Sequence, residues 1–174
     1  MKTLLAVPLL ALLAACAGPD VNHYAAEKPA LDLARFFAGQ TTAWGMFQGR
    51  GGEVDKRFTV RIDGTVSDRQ LVLDEHFAYS DGTTQERRWT LLRQPDGTWR
   101  GTAPDVVGEA IGRVAGNALN WRYTLRVPVK DSTYDFQFDD WMFLIDEQTM
   151  VNRASMSKFG VEVGQVTLFF RHQG

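Results

Sequence analysis

Trp121-Arg122-Tyr123-Thr124-Leu125-Arg126-Val127 is the stretch that decides the fold, because apolar and polar residues alternate strictly along it. In a strand, every second side chain lies on the same face, so this period of two gives one apolar face and one wet face. That pattern is typical of an antiparallel strand that covers a core on one side only. The segment therefore predicts a half-buried β-strand.

Similar alternating runs lie before and after this strand, at residues 57–62, 71–79, 88–91 and 135–139. Asp81-Gly82 and Asp96-Gly97 separate apolar runs in the manner of hairpin turns. Roughly nine or ten short strands at even spacing are typical of a sandwich or a barrel. Closing an up-and-down meander removes its exposed edges. We therefore predict an all-β, antiparallel up-and-down barrel of the lipocalin/calycin type, with a β-sandwich as the alternative.

A short helical pattern precedes the strands, at residues 31–39. Leu33, Phe36 and Phe37 share one face of it, and Gly39 suits a helix end. A helix of this length is not stable alone. We therefore expect a short N-terminal helix that plugs or caps the barrel.

Cys16, the only cysteine, ends a segment with the features of a secretory signal. Lys2 precedes an apolar run at residues 4–13, and small residues precede the cysteine. The run is shorter than the roughly twenty residues that span a bilayer. We expect residues 1–15 to be a signal peptide, residues 16–30 a lipidated cysteine with a polar tether, and residues 31–174 a single β-barrel domain. The alternative is an ordinary signal peptide with a chance cysteine.

Leu13-Ala14-Ala15-Cys16 resembles the lipobox of bacterial lipoproteins. The resemblance implies a diacylglycerol on the Cys16 thiol, cleavage just before this residue and acylation of the new amino group. Two or more acyl chains anchor a protein stably, whereas one is marginal. Ala17, where an inner-membrane lipoprotein often has aspartate, implies an outer-membrane anchor with the body facing the periplasm.

Composition and motifs exclude several functions. The formal net charge of −2 gives no basic footprint, so nucleic acid is not an expected partner. A lone cysteine excludes an internal disulfide framework. The sequence has no serine-hydrolase elbow, zinc-protease motif, P-loop or dinucleotide fingerprint, and its three histidines are scattered. We therefore predict no catalytic residue, no metal and no cofactor, and the sequence indicates no particular protein partner.

Polar residues are concentrated in the C-terminal half. If residues 116–123, 138–143 and 152–160 form consecutive antiparallel strands, their polar side chains lie close together. Asp139 and Asp140 are adjacent and so point to opposite faces, and a buried carboxylate needs a partner. The cluster either holds the polar head of a ligand or fixes strand register. Its candidate residues are Asn120, Arg122, Asp139, Asp140, Arg153 and Lys158.

Aromatic residues on the predicted strands also allow two interpretations. They line a pocket for an acyl chain or another apolar ligand, or they fill the barrel. The candidates are Trp89, Trp121, Tyr123, Phe136 and Phe138.

Five segments, at residues 31–33, 43–48, 116–123, 139–143 and 152–160, resemble those of one family. It is an uncharacterised family of Gram-negative lipoproteins, classed as a domain of unknown function (the 3833 family), and the likeness covers nearly the whole mature chain. The resemblance implies a lipoprotein of similar architecture. It brings no activity and no catalytic residues.

The anchor, the aromatic strands and the lack of catalytic motifs favour a non-enzymatic lipoprotein that binds a lipid or another apolar small molecule. One alternative is an enzyme acting on envelope lipids through Asp139, Asp140 and Lys158. Another is a scaffold lipoprotein of an envelope complex. An open apolar cavity favours binding, converging carboxylates of perturbed pKa favour an enzyme, and a solid core with a large apolar patch favours a scaffold.

Overall fold

The chain folds as a ten-stranded closed β-barrel in the computed structural model, which describes residues 18–174. Each strand pairs antiparallel with the next one in the chain, and the last returns to pair with the first. The prediction of an antiparallel up-and-down barrel of the lipocalin/calycin type is confirmed. The predicted signal peptide and Cys16 lie outside the described residues. The strands are β1 (Gly39–Gly49), β2 (Val54–Ser67), β3 (Gln70–Tyr79), β4 (Thr84–Arg93), β5 (Trp99–Thr102), β6 (Ala110–Ala115), β7 (Ala118–Val129), β8 (Ser132–Asp146), β9 (Thr149–Lys158) and β10 (Val161–Gln173).

Strand alternation divides each strand between the interior and the outer wall. The decisive stretch lies in β7, where Trp121 and Leu125 are buried inside and Arg122 and Arg126 are exposed outside. Tyr123 on β7 pairs with Phe138 on β8, and their rings stack at 5.0 Å between centroids. One interior face thus runs around the whole barrel.

The predicted N-terminal helix is present as α1 (Leu33–Phe37), and it closes one end of the barrel. Asp32 caps it, since its Oδ1 accepts a hydrogen bond from the Arg35 backbone N–H at 3.1 Å. Leu33, Phe36 and Phe37 are buried, as their shared face predicts. Gly64 on β2 has to be glycine, because an added Cβ would lie 1.6 Å from the carbonyl oxygen of Phe37. In residues 18–174, no helix is long and apolar enough to cross a membrane.

The segment before α1 packs on the barrel rather than hanging free. Residues Val21–Tyr24 form a 3₁₀ helix in which Val21 is buried. The Tyr24 ring lies edge-on to Phe143, with centroids 5.1 Å apart, and the Leu31 N–H donates to the Gly116 carbonyl at 2.8 Å. This corrects the expectation of a tether that extends to residue 30. Isolated apolar residues hold the segment, so it carries no periodic signal.

Strands β5 and β6 are short, and the loop between them fills the wall that they leave open between β4 and β7. In this loop the Val107 N–H donates to the Thr124 carbonyl at 2.9 Å, and the Arg126 N–H donates to the Asp105 carbonyl at 2.8 Å. Strand β6 therefore begins only at Ala110. The loop places the Asp105 side chain at the barrel interior.

Candidate ligand-binding site

A cavity of about 710 Å³ occupies the barrel. Its wall is mostly apolar and is rich in aromatic rings contributed by opposite strands. Trp89 of β4 meets Trp121 of β7 edge-on, with centroids 5.9 Å apart. Of the two interpretations of the aromatic residues, the hollow barrel is the one observed. All five predicted pocket residues line the cavity, namely Trp89, Trp121, Tyr123, Phe136 and Phe138.

The cavity has a floor and a mouth. Leu33 and Phe37 from α1 form the floor, which we call the closed end. At the opposite end the lining reaches exposed residues near the β3–β4 and β7–β8 turns, among them Thr83 and Val129. We call this end the mouth, and it also carries the β1–β2 and β9–β10 turns.

An ion pair between Arg87 and Asp105 lies in the cavity wall. The Arg87 Nη2 donates to Asp105 Oδ2 at 2.7 Å, and its Nε donates to both carboxylate oxygens at 3.0 and 3.1 Å. The two side chains are only 16% and 25% exposed. A bidentate pair of this kind is stronger than a neutral hydrogen bond and also fixes the relative orientation of the two side chains. It ties the β5–β6 loop to β4.

Glu75 of β3 lies beside this pair but is not satisfied by it. Its Oε2 lies 3.7 Å from Nη1 of Arg87, outside hydrogen-bond range. Within residues 18–174, this buried oxygen has no hydrogen-bond partner. Burial raises the pKa of Glu75 to about 7, although the Arg87 charge acts in the opposite direction.

Asp140 of β8 is a second carboxyl group inside the barrel, only 6% exposed. Asn152 Nδ2 donates a hydrogen bond to its Oδ1, and the Tyr123 hydroxyl lies 3.5 Å from its Oδ2. Burial raises the pKa of Asp140 to about 7, despite these two donors. Burial, followed by the Asp140 charge, also raises the pKa of Tyr123 well above its ordinary value, so this phenol stays a neutral donor.

The barrel wall separates the polar cluster that the sequence predicts. Asp139 lies on the outer wall, where it accepts from Asn120 Nδ2 at 2.6 Å and from Arg122 Nε at 3.2 Å. Asp140 is the only cluster member that lines the cavity. The idea of one joint site is therefore wrong, because adjacent strand residues face opposite sides.

Two cationic members of that cluster also lie away from Asp140. Arg153, on the outer wall, donates to Gln165 Oε1 at 3.1 and 3.2 Å. Lys158 ends β9 near the mouth, with its Nζ 3.5 Å from the centroid of the Tyr134 ring. Neither side chain therefore pairs with the buried Asp140 carboxyl.

Four interior polar residues were missed by the sequence reasoning: Glu75, Arg87, Asp105 and Asn152. Glu75 continues the alternation of Leu71 and Leu73, and Arg87 lies in phase with Trp89. A charged residue in phase with apolar neighbours was the available signal. Asp105 gave none, because it lies in a loop.

The fold and the cavity define a class, the hollow up-and-down β-barrels of lipocalin/calycin type. The chain belongs to the family described as "Protein of unknown function (DUF3833)", whose model matches residues 10–172. This confirms the family resemblance found in the sequence. No curated protein sequence matches the chain significantly.

Solved structures share the barrel at low sequence identity. The S-type phycobiliprotein lyase CPES from Guillardia theta matches with a TM-score of 0.60 and 4% identity, over 90% of this chain and 99% of that one. A de novo designed fluorescence-activating β-barrel matches with a TM-score of 0.43 and 16% identity, over 82% and 99% of the two chains. A redesigned β-barrel bound to DFHBI gives 0.40 and 11%, over 78% and 98%. At such identities the likeness to the lyase shows the fold alone.

Proposed function

We propose that this protein is an outer-membrane-anchored periplasmic lipoprotein that binds a lipid or another apolar small molecule inside its barrel. The observation that carries the proposal is the hollow interior. Its volume of about 710 Å³ falls within the roughly 300–1,000 Å³ typical of small-molecule sites. Such sites combine a mostly apolar lining with a few placed polar groups, and the described cavity has both.

An empty apolar cavity lowers the stability of a folded protein. Protein interiors are normally close-packed, and unfilled space forfeits dispersion contacts. Here bulky rings line the space without closing it, and the Tyr123–Phe138 stack gives the wall a fixed shape. A bound apolar molecule would restore the missing contacts.

The anchor and the location rest on the sequence. Cys16 follows an apolar segment in a lipobox pattern, and Ala17 follows the cysteine. Lipidation there would hold the barrel in the periplasm beside a reservoir of apolar molecules. A closed wall around the cavity would then keep such a molecule out of water.

The binding proposal is tested by recovering the ligand and then blocking its space. The full chain is purified from membranes, and its bound small molecules are extracted and identified by mass spectrometry. Ala154→Phe places a ring in the cavity, whereas Ser155→Phe places the same ring on the outer wall. We expect at least about a five-fold loss of ligand occupancy for Ala154→Phe and wild-type occupancy for Ser155→Phe.

Two results would count against the binding proposal. One is equal occupancy in the two phenylalanine variants, which would place the ligand outside the barrel. The other is a set of extracts with no molecule enriched over the bulk membrane lipids.

A second candidate function is acid–base catalysis on the bound molecule. The observation that favours it is the pair of interior carboxyls, Glu75 and Asp140, each with a pKa of about 7. A general acid or base works best when its pKa is near the operating pH. Among the described residues that line the cavity there is no Ser, Cys or His, so covalent catalysis through these types is not available there. Mass spectrometry of the ligand before and after incubation tests turnover, which Asp140→Asn should abolish.

A further inference from the structure

The cavity lining contains more buried carboxyl groups than cations to pair with them. Glu75, Asp105 and Asp140 face the same space as a single deep guanidinium, that of Arg87. Asp105 takes both Nε and Nη2 of that guanidinium. Among residues 18–174, no Lys or Arg lies within ion-pair distance of Asp140.

The two other cations that line the cavity, Lys56 and Arg126, lie near the mouth and are also paired. Lys56 Nζ lies 2.9 Å from Asp81 Oδ2, and Arg126 makes a bidentate pair with Asp135 at 2.9 and 3.0 Å. Neither side chain is left over to balance the interior. The carboxyl groups of the cavity that are left without a paired cation are therefore those of Glu75 and Asp140.

The unpaired buried atoms of this cavity are acceptors. Glu75 Oε2 and Asn152 Oδ1 are both buried and, in the described part of the chain, both lack a hydrogen-bond partner. Asn152 uses its Nδ2 on Asp140 and on the Trp141 carbonyl. A buried polar group without a partner costs free energy. A complementary ligand must therefore bring donors rather than acceptors.

A bound metal ion is a poor candidate for the group that balances the Glu75 and Asp140 carboxyls. In residues 18–174, no three His, Cys, Asp or Glu side chains are grouped to hold a metal. The dominant lining is aromatic and aliphatic, which suits an organic molecule. The missing charge is best supplied as an N–H donor on an apolar body.

From this arrangement we propose that the cavity takes an apolar molecule carrying a protonated amine, and that the amine lies at Glu75 and Asp140. This inference rests on the proposed function and names its ligand class. The ammonium group donates to the Glu75 and Asp140 carboxylates and to Asn152 Oδ1. Its apolar body extends towards the mouth along Phe77, Phe136 and Met156, which line the same cavity.

The shortage of free cations and donors in the cavity disfavours a ligand with a carboxylate or phosphate head group. Such a head would have to displace Asp105 or Glu75 from Arg87, and it would lie beside the Asp140 carboxyl. Like charges in a low-dielectric interior repel strongly. A free fatty acid, the simplest lipid ligand for a barrel, should therefore be a poor one here.

The test compares three ligands with the same twelve-carbon chain, namely dodecylamine, dodecanol and dodecanoate. The full chain is stripped of co-purifying ligand, kept in a non-ionic detergent at pH 7.5, and titrated below the micelle concentration of each ligand. Changes in Trp89 and Trp121 emission report binding, because both rings line the cavity. We expect dodecylamine to bind at least about 10-fold more tightly than the other two ligands, a difference of about 1.4 kcal/mol.

Variants assign this preference to the two carboxyls. Asp140→Asn and Glu75→Gln should each lower dodecylamine affinity about 10-fold or more while leaving dodecanol affinity within about two-fold. Retained dodecanol binding shows that the variant barrel is folded. Asp139→Asn, the adjacent change on the outer wall, should keep the wild-type preference.

The outcomes separate this inference from the proposed function. Equal binding of the three ligands, or tighter binding of dodecanoate, overturns the amine assignment but keeps the cavity as a binding site. A preference that survives in both carboxyl variants also overturns it. No binding of any ligand, together with no co-purifying molecule, overturns both proposals.

Discussion

Two carboxyl groups in an aromatic cavity make proton binding part of the stability of this barrel. Asp140 faces Tyr123 and Asn152 and is influenced by the charges of Asp139 and Glu75. Glu75 faces Arg87 and Asp105. Burial raises both pKa values to about 7, from ordinary values of 3.8 for Asp140 and 4.5 for Glu75. The folded state therefore holds protons that the unfolded chain has already released.

The sign of the pH effect follows from these pKa values. The folded state binds more protons than the unfolded state between about pH 4 and pH 7. The contribution of these two groups to the free energy of unfolding is therefore fully present below that window and is lost as the pH rises through it. For Asp140 alone, the loss is on the order of 2–4 kcal/mol.

Asp140→Asn should remove this part of the pH dependence. Urea unfolding at pH 5, 6.5 and 8 should show wild type losing stability towards pH 8 and the variant losing less, so that the variant gains relative to wild type. Asp139→Asn, on the outer wall, is the matched control and should keep the wild-type slope. If the free energy of unfolding changed with pH by the same amount in wild type and Asp140→Asn, the prediction would be contradicted.

At the residue scale, the sequence predicts well on which side of the barrel wall a side chain lies. It predicts less well which residues that side chain contacts. Alternation predicts that Asp139 and Asp140 point apart, and the barrel places them on opposite sides of its wall. Their partners come from other strands at separations that no local pattern encodes. Glu75 and Arg87 were missed for the related reason that a charge within an apolar face breaks the hydrophobic pattern. Such exceptions mark functional candidates.

At the scale of elements, a single ion pair joins the side chains of the β5–β6 loop and β4. Arg87 and Asp105 join this loop to β4, and both are largely buried. The Arg126–Asp135 pair has the same bidentate form but links β7 to β8 on the exposed outer wall. The two pairs therefore form a natural comparison of buried and exposed ion pairs.

Asp105→Asn should destabilise the barrel by about 2–4 kcal/mol, because it leaves a buried guanidinium with only Glu75 nearby. Asp135→Asn should destabilise the barrel much less, because its pair is solvated. Hydrogen exchange should locate the difference, with faster exchange of the Val107 and Arg126 amides in Asp105→Asn alone. Equal losses of stability in the two variants would show that the buried pair does not hold the loop.

The elements themselves differ in how far their sequence predicts them. The long hairpins follow from alternation and Asp-Gly turns, and α1 follows from its apolar face and its glycine stop. Packing of Val21 and Tyr24 was not predictable, because single apolar residues in a polar stretch give no period. The start of β6 at Ala110 also depends on tertiary structure, since the loop before it pairs with β7 rather than continuing as a strand.

For the whole molecule, hollow and filled barrels share one sequence pattern. Interior volume depends on the number of strands and on their tilt, as well as on side-chain size. Trp89, Trp121 and Phe138 would have been large enough to fill a narrower barrel. With ten strands, opposite sides of the barrel are far enough apart that these side chains leave a cavity between them. The aromatic residues were therefore predictable as interior, and the space between them was not.

The position of the N-terminal segment decides how the anchored molecule would stand on a membrane. Tyr24 packs near the closed end, where its carbonyl oxygen approaches Gly116. From Cys16 to Asp20 the chain spans at most about 14 Å. Strand β8 has 15 residues, which at the usual rise and tilt gives a barrel height on the order of 35 Å. With Cys16 lipidated as proposed, the closed end lies near the bilayer and the mouth faces away from it.

Two turns that flank β8 test this orientation. Asp131 lies at the mouth and Glu147 at the closed end, and both are exposed acidic residues in hairpin turns. Asp131→Cys and Glu147→Cys are each labelled with the same fluorophore, in full-length protein anchored to vesicles whose headgroups carry a nitroxide quencher. Because quenching falls steeply with distance, the label at residue 147 should be quenched at least about two-fold more than the label at residue 131. Stronger quenching at residue 131 would mean that the mouth faces the anchoring membrane, so that a ligand could enter directly from the bilayer rather than from the periplasm.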